Sequence, residues 1–196
     1  MFLAVFPSPE VTTALQELRA RLEPKIPGLR WTLPVNLHFT LRFFGDLDRH
    51  AVTAAAEVAE AATASAVPFR ITLEGLGVFG SWSRPRVLWV GVAGGRSRLE
   101  ALARVLHRGF AAAGLGRADK PFAAHLTLGR WRDLRDLDLG AAREVSAAVG
   151  GIGRFQAEEV VLVRSILGDG GSRYDPVSRH RLRGGPAASP EESRHG

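Results

Sequence analysis

At 196 residues, 45% hydrophobic and 23% charged, the chain has enough apolar material for a buried core and the charge density of a water-soluble globular protein. It contains no cysteine, which excludes disulfides, thiolate metal sites and a cysteine nucleophile. The formal net charge is +6, and Lys25 and Lys120 are the only lysines, so arginine supplies 26 − 2 = 24 of the basic side chains. Guanidinium forks match phosphate oxygens and stack on bases, so an anionic partner such as nucleic acid suits this balance, although compositional bias alone also produces it.

The chain opens with a short apolar run, residues 2–6, whose length suits a buried strand and is too short for a signal-peptide core. No later stretch approaches the roughly 20 apolar residues of a membrane span. The expectation is a cytoplasmic protein without membrane contact. Ser8-Pro9-Glu10 then supplies an N-cap and a first-turn proline for a helix running to about residue 22, with Val11, Leu15, Leu18 and Leu22 as its apolar stripe. A short strand follows at residues 29–32, then a turn at Pro34-Val35-Asn36, then a strand at residues 37–44 with period-two alternation.

An alanine-rich helix is expected at residues 46–66, with Val52, Val58 and Ala62 inward. Strand segments at 69–73 and 77–79 lead through a loop at 80–85 into a strand at 86–92, as a hairpin. A helix at 99–113 turns Leu99, Leu102, Leu106 and Phe110 inward and is closed by Gly114-Leu115-Gly116. A loop with Lys120-Pro121 precedes a strand at 123–131. A weaker helix at 139–149, a strand within 155–167, a turn at 168–172 and a last strand at 174–182 complete the chain. Residues 184–196 are rich in Gly, Pro, Ser and charge, and are expected to be a disordered tail beyond a domain of residues 1–183.

One phrase occurs twice. His38-Phe39-Thr40-Leu41 is echoed by His125-Leu126-Thr127-Leu128, with Arg42 and Arg130 just beyond, and the histidines lie 125 − 38 = 87 residues apart. The phenylalanines opening the next strands, Phe69 and Phe155, are 155 − 69 = 86 apart. The matched offsets suggest a duplication: two α+β lobes related by a pseudo-two-fold axis, each an antiparallel sheet with helices on its outer face, with a central cleft carrying both histidine strands. On that scheme the first strand and helix complete the second lobe.

In a strand, residues i and i+2 share a face, so His38 with Thr40, and His125 with Thr127, present an imidazole and a hydroxyl while Phe39, Leu41, Leu126 and Leu128 anchor in core. Such a cleft suits an anionic phosphodiester. One neutral imidazole can take a proton from the attacking oxygen while the other, as imidazolium, gives one to the leaving oxygen. The Thr hydroxyls can bind non-bridging oxygens, and Arg42 or Arg130 can neutralise developing charge. Strict alternation puts Arg42 on the His38 face. Arg130, five residues after His125, joins that site only if the strand bulges at Gly129. No metal or other cofactor is required. A single His-x-Thr on a strand is most often structural, and the weight rests on two copies in matching contexts. His50, His107, His180 and His195 read as surface or packing. Asp133, Asp136 and Asp138 read as a solvated loop; among Phe44, Phe79, Trp82 and Trp131, core packing suits the phenylalanines, with Trp82 open to base stacking.

The sequence resembles the two-histidine phosphoesterase superfamily, and within it the RNA 2′,3′-cyclic phosphodiesterases, also called LigT-like or 2′-5′ RNA ligase-like proteins. The likeness rests on Asn36-Leu37-His38-Phe39-Thr40-Leu41-Arg42-Phe43-Phe44-Gly45, on Pro121-Phe122 before His125-Leu126-Thr127-Leu128-Gly129-Arg130, on Pro85-Arg86-Val87-Leu88-Trp89-Val90-Gly91, and on Val163-Arg164-Ser165 with Leu167-Gly168 and Tyr174. It spans about residues 1–183. It implies a bilobal α+β fold with a central cleft and hydrolysis of RNA 2′,3′-cyclic phosphate ends to 2′-phosphomonoesters; a monomer is expected. It also implies that His38 is the proton donor to the departing 3′ oxygen and His125 the proton acceptor from water, with Thr40 and Thr127 holding the phosphate. Arg130, Arg164 and Ser165 become phosphate or ribose contacts. The residues themselves are symmetric as to acid and base. Two other readings use the same residues: the reverse reaction, a 2′-5′ RNA ligase, and a non-catalytic RNA-binding module.

Overall fold

A computed structural model describes residues 1–132, 140–168 and 171–184. The Asp133, Asp136 and Asp138 loop, the tip of the 168–172 turn and residues 185–196 of the expected tail lie outside the described residues. Gly184 itself is anchored, its N–H donating to Ala66 O at 3.0 Å.

Nine strands, four α-helices and two short 3-10 helices are described, and every strand pairing is antiparallel. The strands are β1 (Phe2–Val5), β2 (Leu29–Trp31), β3 (Phe39–Phe43), β4 (Phe69–Ser81), β5 (Arg84–Gly94), β6 (His125–Trp131), β7 (Gly151–Ala157), β8 (Glu159–Gly168) and β9 (Gly171–Arg181). The helices are α1 (Pro9–Leu22), α2 (Arg49–Ala64), α3 (Arg96–Ala112) and α4 (Gly140–Ala147). One sheet has the order β3-β1-β8-β9, the other β2-β6-β5-β4-β7. Helices α2 and α3 pack on the first sheet and α1 and α4 on the second. This is the α+β, two-sheet architecture expected from the sequence.

Local chemistry sets the elements. Ser8 caps α1 by accepting from Val11 N, and the buried stripe is Val11, Leu15, Leu18 and Leu22. Asp48 caps α2 in the same way through Ala51 N at 2.8 Å. The buried face of α2 is Ala55, Ala59, Ala62 and Thr63, while Val52 and Val58 stay at its margin. Small residues prevail there because α3 lies close: a Cβ on Gly109 would meet Val58 Cγ1 at 2.6 Å.

The assembly of the lobes differs from the sequence expectation. The β4–β5 hairpin that follows the His38 strand joins the sheet of His125, and β8–β9, which follow the His125 strand, join the sheet of His38. β1 does not complete the second lobe; it lies between β3 and β8. All four of its residues are buried, and a strand apolar on both faces needs such an interior position. Leu3 and Val5 enter the main core, whereas Phe2 and Ala4 form a small cluster with Val161 and Val163 on the opposite face. α1 does sit with the second lobe, against β7.

Candidate active site

The strands β3 and β6 meet where the two sheets approach each other. His38 immediately precedes β3, and His125 opens β6. Each imidazole is held alike. His38 Nδ1 lies 2.7 Å from Asn36 O, and His125 Nδ1 lies 2.8 Å from Ala123 O, in both cases the carbonyl two residues back. A carbonyl only accepts, so Nδ1 carries the proton in the neutral ring and Nε2 is left as the reactive nitrogen. Thr40 Oγ1 lies 2.9 Å from His38 Nε2 and donates to it in that tautomer. Asn36 is itself fixed, its amide donating to Ser172 O at 2.7 Å.

Both motif strands bulge at the residue after the threonine. In β3 the register against β1 jumps from Ala4↔Thr40 to Leu3↔Arg42, leaving Leu41 extra. In β6 it jumps from Trp89↔Thr127 to Leu88↔Gly129, leaving Leu128 extra. A bulge moves every following side chain to the opposite face. Arg130 therefore turns to the His125 side and Gly129 turns inward; the bulge expected at Gly129 falls one residue earlier, at Leu128. There a Cβ would meet Leu29 Cγ at 2.8 Å and Arg30 O at 2.9 Å, so only glycine fits beneath β2.

The same bulge removes Arg42 from the face where strict alternation put it. Its guanidinium is buried and donates from Nη2 to Arg117 O at 2.7 Å and Leu115 O at 3.4 Å. Arg42 thus ties β3 to the loop after α3, and the His38-face position passes to Phe43. In β8, Ser165 shares the face of Val161 and Val163 and pairs with Tyr174, whereas Arg164 alternates to the other face and is exposed. Of the four expected substrate contacts, Arg130 lines the cleft and Ser165 shares the face of the His38 cluster; Arg42 borders the same cavity with its guanidinium spent on the loop carbonyls, and Arg164 is exposed on the other face.

Burial pushes the pKa of His38 below its usual 6.5, and the nearby charges of His125 and Arg130 push the same way, against the bond to Asn36 O. His125 is also lowered, first by burial and then by Arg130, against the bond to Ala123 O. Tyr174 is raised by burial and pulled back by Arg130. One guanidinium therefore acts on all three groups. Left to themselves both imidazoles favour the neutral form, and a phosphate anion would restore the imidazolium that a proton donor must be.

Phe2 was not singled out from sequence, Tyr174 entered only through the resemblance, and Phe79, read as core packing, instead lines the cleft. The rings of Phe2 and Tyr174 lie 4.8 and 5.4 Å from that of His38, and Phe79 lies 4.7 Å from His125, edge to face. Tyr174 is the one tyrosine in the chain, a signal that periodicity does not use. His107 donates from Nε2 to Leu41 O at 2.8 Å, satisfying the bulge carbonyl. His180 is buried between Glu60 Oε2 and Ser178 Oγ, both at 2.9 Å, a packing role as expected. Phe44 packs on Phe110, and Trp131 is buried with its indole N–H on Pro27 O. Trp82 packs against the core periphery. No group of three or more His, Asp or Glu side chains placed to hold a metal occurs among the described residues, and no helix there is long and apolar enough to cross a membrane.

Two antiparallel sheets whose touching strands each present a tautomer-locked histidine and a threonine define a two-histidine phosphoesterase. The chain belongs to the 2′-5′ RNA ligase superfamily, which matches residues 6–169. It is 30% identical to an RNA 2′,3′-cyclic phosphodiesterase of Aquifex aeolicus over 93% of this chain and 97% of that one. It is also 30% identical to the RNA 2′,3′-cyclic phosphodiesterase of Escherichia coli, over 93% and 96% respectively. The crystal structure of a Thermus thermophilus protein superposes with a TM-score of 0.78 at 29% identity, covering 93% of this chain and 97% of the other. E. coli LigT complexed with 3′-AMP superposes with a TM-score of 0.74 at 26% identity, covering 92% and 96%.

Proposed function

We propose that this chain hydrolyses RNA ends bearing a 2′,3′-cyclic phosphate to 2′-phosphomonoesters, with residues 1–183 as one bilobal catalytic unit. The observation that carries the reading is the paired locking of both Nδ1 atoms onto backbone carbonyls, which leaves both Nε2 atoms as the proton-transfer positions. His125 Nε2 takes a proton from water as its oxygen attacks phosphorus. The P–O3′ bond breaks, and His38, protonated when the anion is bound, delivers its Nε2 proton to the departing 3′ oxygen. Once His38 is imidazolium, Nε2 no longer accepts from Thr40: its N–H serves the 3′ oxygen and the Thr40 hydroxyl proton turns to a non-bridging oxygen. Thr127 holds the phosphate from the other side, Arg130 neutralises its developing charge, and Ser165 lies within the same wall. The family to which the chain belongs supports this assignment of donor and acceptor, because the residues alone are symmetric.

The test is incubation of a cyclic-ended oligonucleotide in EDTA, with the product followed by ³¹P NMR. A 2′-phosphate formed by the native chain and not by His38→Ala or His125→Ala supports the scheme; a 3′-phosphate reverses the leaving group, and an active double variant removes it. The superfamily's description brings a second reading, 2′-5′ joining by the same site in reverse. Adding a 5′-hydroxyl oligonucleotide and looking for a longer product separates the two.

A further inference from the structure

The bulge at Leu41 leaves a large aromatic ring in the open. Phe43 pairs directly with Phe2, whose own ring touches that of His38, so Phe43 stands on the cleft face of β3. It is 66% exposed, the most exposed phenylalanine among the described residues. The cavity beside it is about 1350 Å³, beyond the roughly 300–1,000 Å³ of a typical small-molecule pocket. Its walls are β3, the β4–β5 tip, the loop after α3 and the end of β6. Besides Arg130, its cations include Arg84, Arg86, Lys120 and Arg132, against the single carboxylate Asp119 among the described lining residues. A basic groove with an exposed ring is the arrangement that tracks a single strand by stacking bases and pairing phosphates.

We infer that the cleft continues into a second-nucleotide subsite, in which Phe43 stacks the base 5′ to the reacting nucleotide and Arg84, Arg86, Lys120 and Arg132 hold the phosphates upstream. The inference rests on the two-histidine reading above. Distance assigns the nucleotide. Phe43 is five positions from His38 on a strand rising about 3.3 Å per residue, a backbone separation on the order of 15 Å, with the Phe2 ring between the two side chains, so the base it meets lies further along the strand than the one at the phosphate. Phe79, edge-on to His125, lies nearer that terminal nucleotide.

The test compares kcat/KM for a 2′,3′-cyclic mononucleotide with oligoribonucleotides of two, three and four residues bearing the same end. The expected result is a rise of about tenfold from one residue to two, as one stacked base provides, and a dependence on salt that steepens with length. Phe43→Ala should bring the two-to-one ratio to within about twofold of unity, whereas Phe43→Trp keeps it. Arg84→Gln with Arg86→Gln should lower the salt slope on the tetranucleotide by about 0.7 or more, the share of one phosphate contact on a single strand. Equal kcat/KM at every length, with the native chain active throughout, removes the subsite and leaves the two-histidine reading intact. A length dependence unchanged by Phe43→Ala overturns the role of the ring. No turnover of any cyclic end overturns both.

Discussion

The two motif strands carry the same chemistry in different settings. β3 is the edge of its sheet, with β1 on one side alone, while β6 lies between β2 and β5. Both place a histidine, a threonine two residues on and a bulge at the next apolar residue. Beyond the bulge they part. The inward position is Arg42 in β3, where a long side chain can reach the carbonyls of Leu115 and Arg117, and Gly129 in β6, where β2 leaves no room for a Cβ. The cleft position is Phe43 in β3 and Arg130 in β6. The shared part therefore serves proton transfer, and the divergent part divides other tasks: one strand supplies charge and the other a flat apolar surface.

The comparison can be broken most directly at the histidines. His38→Ala and His125→Ala should each lower kcat by about 10²–10⁴, measured under single-turnover conditions; a large loss at one and none at the other would mean that the strands are not chemically equivalent. Arg130→Gln should lower kcat/KM by about 10²-fold, as loss of one transition-state donor does, while leaving melting temperature nearly unchanged. Gly129→Ala tests the crowding that β6 has and β3 lacks: it should destabilise by about 1–3 kcal/mol, the range for overpacking, read from urea midpoints. Arg42→Met tests the opposite assignment. It should cost about 1–2 kcal/mol of stability through lost charge-assisted bonds and leave KM nearly unchanged, whereas a substrate contact would show the reverse.

The pH effect is the smallest. Folding lowers both imidazole pKa values from 6.5, so between the folded values and 6.5 the unfolded chain binds more protons. Stability is therefore highest above 6.5 and falls on acidification through that window, levelling below the folded values. Inorganic phosphate, which favours imidazolium, should oppose the fall. Because repulsion from His125 contributes to the lowering at His38, His125→Ala should raise the His38 pKa, measurable by NMR.

Much of this was legible in the sequence. Ser8-Pro9 marked the start of α1, and the repeated His-x-Thr marked the pair, because cap chemistry and period-two alternation are local. The bulges were not: nothing in Thr40-Leu41-Arg42 says that Leu41 is extra, since that depends on which residue of β1 lies opposite. Arg42 was accordingly given the face that Phe43 takes, while Arg130 was recovered by asking what Gly129 would allow. One strand was read within residues 155–167, where the structure has parts of two, β7 and β8, separated at Glu158 and pairing in different sheets. Strand pairing across the chain leaves no local trace, so the exchange of hairpins between lobes was invisible.

That exchange has a consequence for how activity arises. Both histidines have been synthesised by residue 125, yet the sheet holding the first closes only when Phe2 meets Val163, 163 − 2 = 161 residues away. Contacts of such long range form slowly and late in folding. A chain interrupted after α4 would own every reacting atom and neither finished sheet, since β8 and β9 complete one and β7 the other. Cutting between the histidines does not yield two lobes either, because each fragment keeps strands that its partner needs. Catalytic competence therefore needs the C-terminal strands as much as it needs the two histidines.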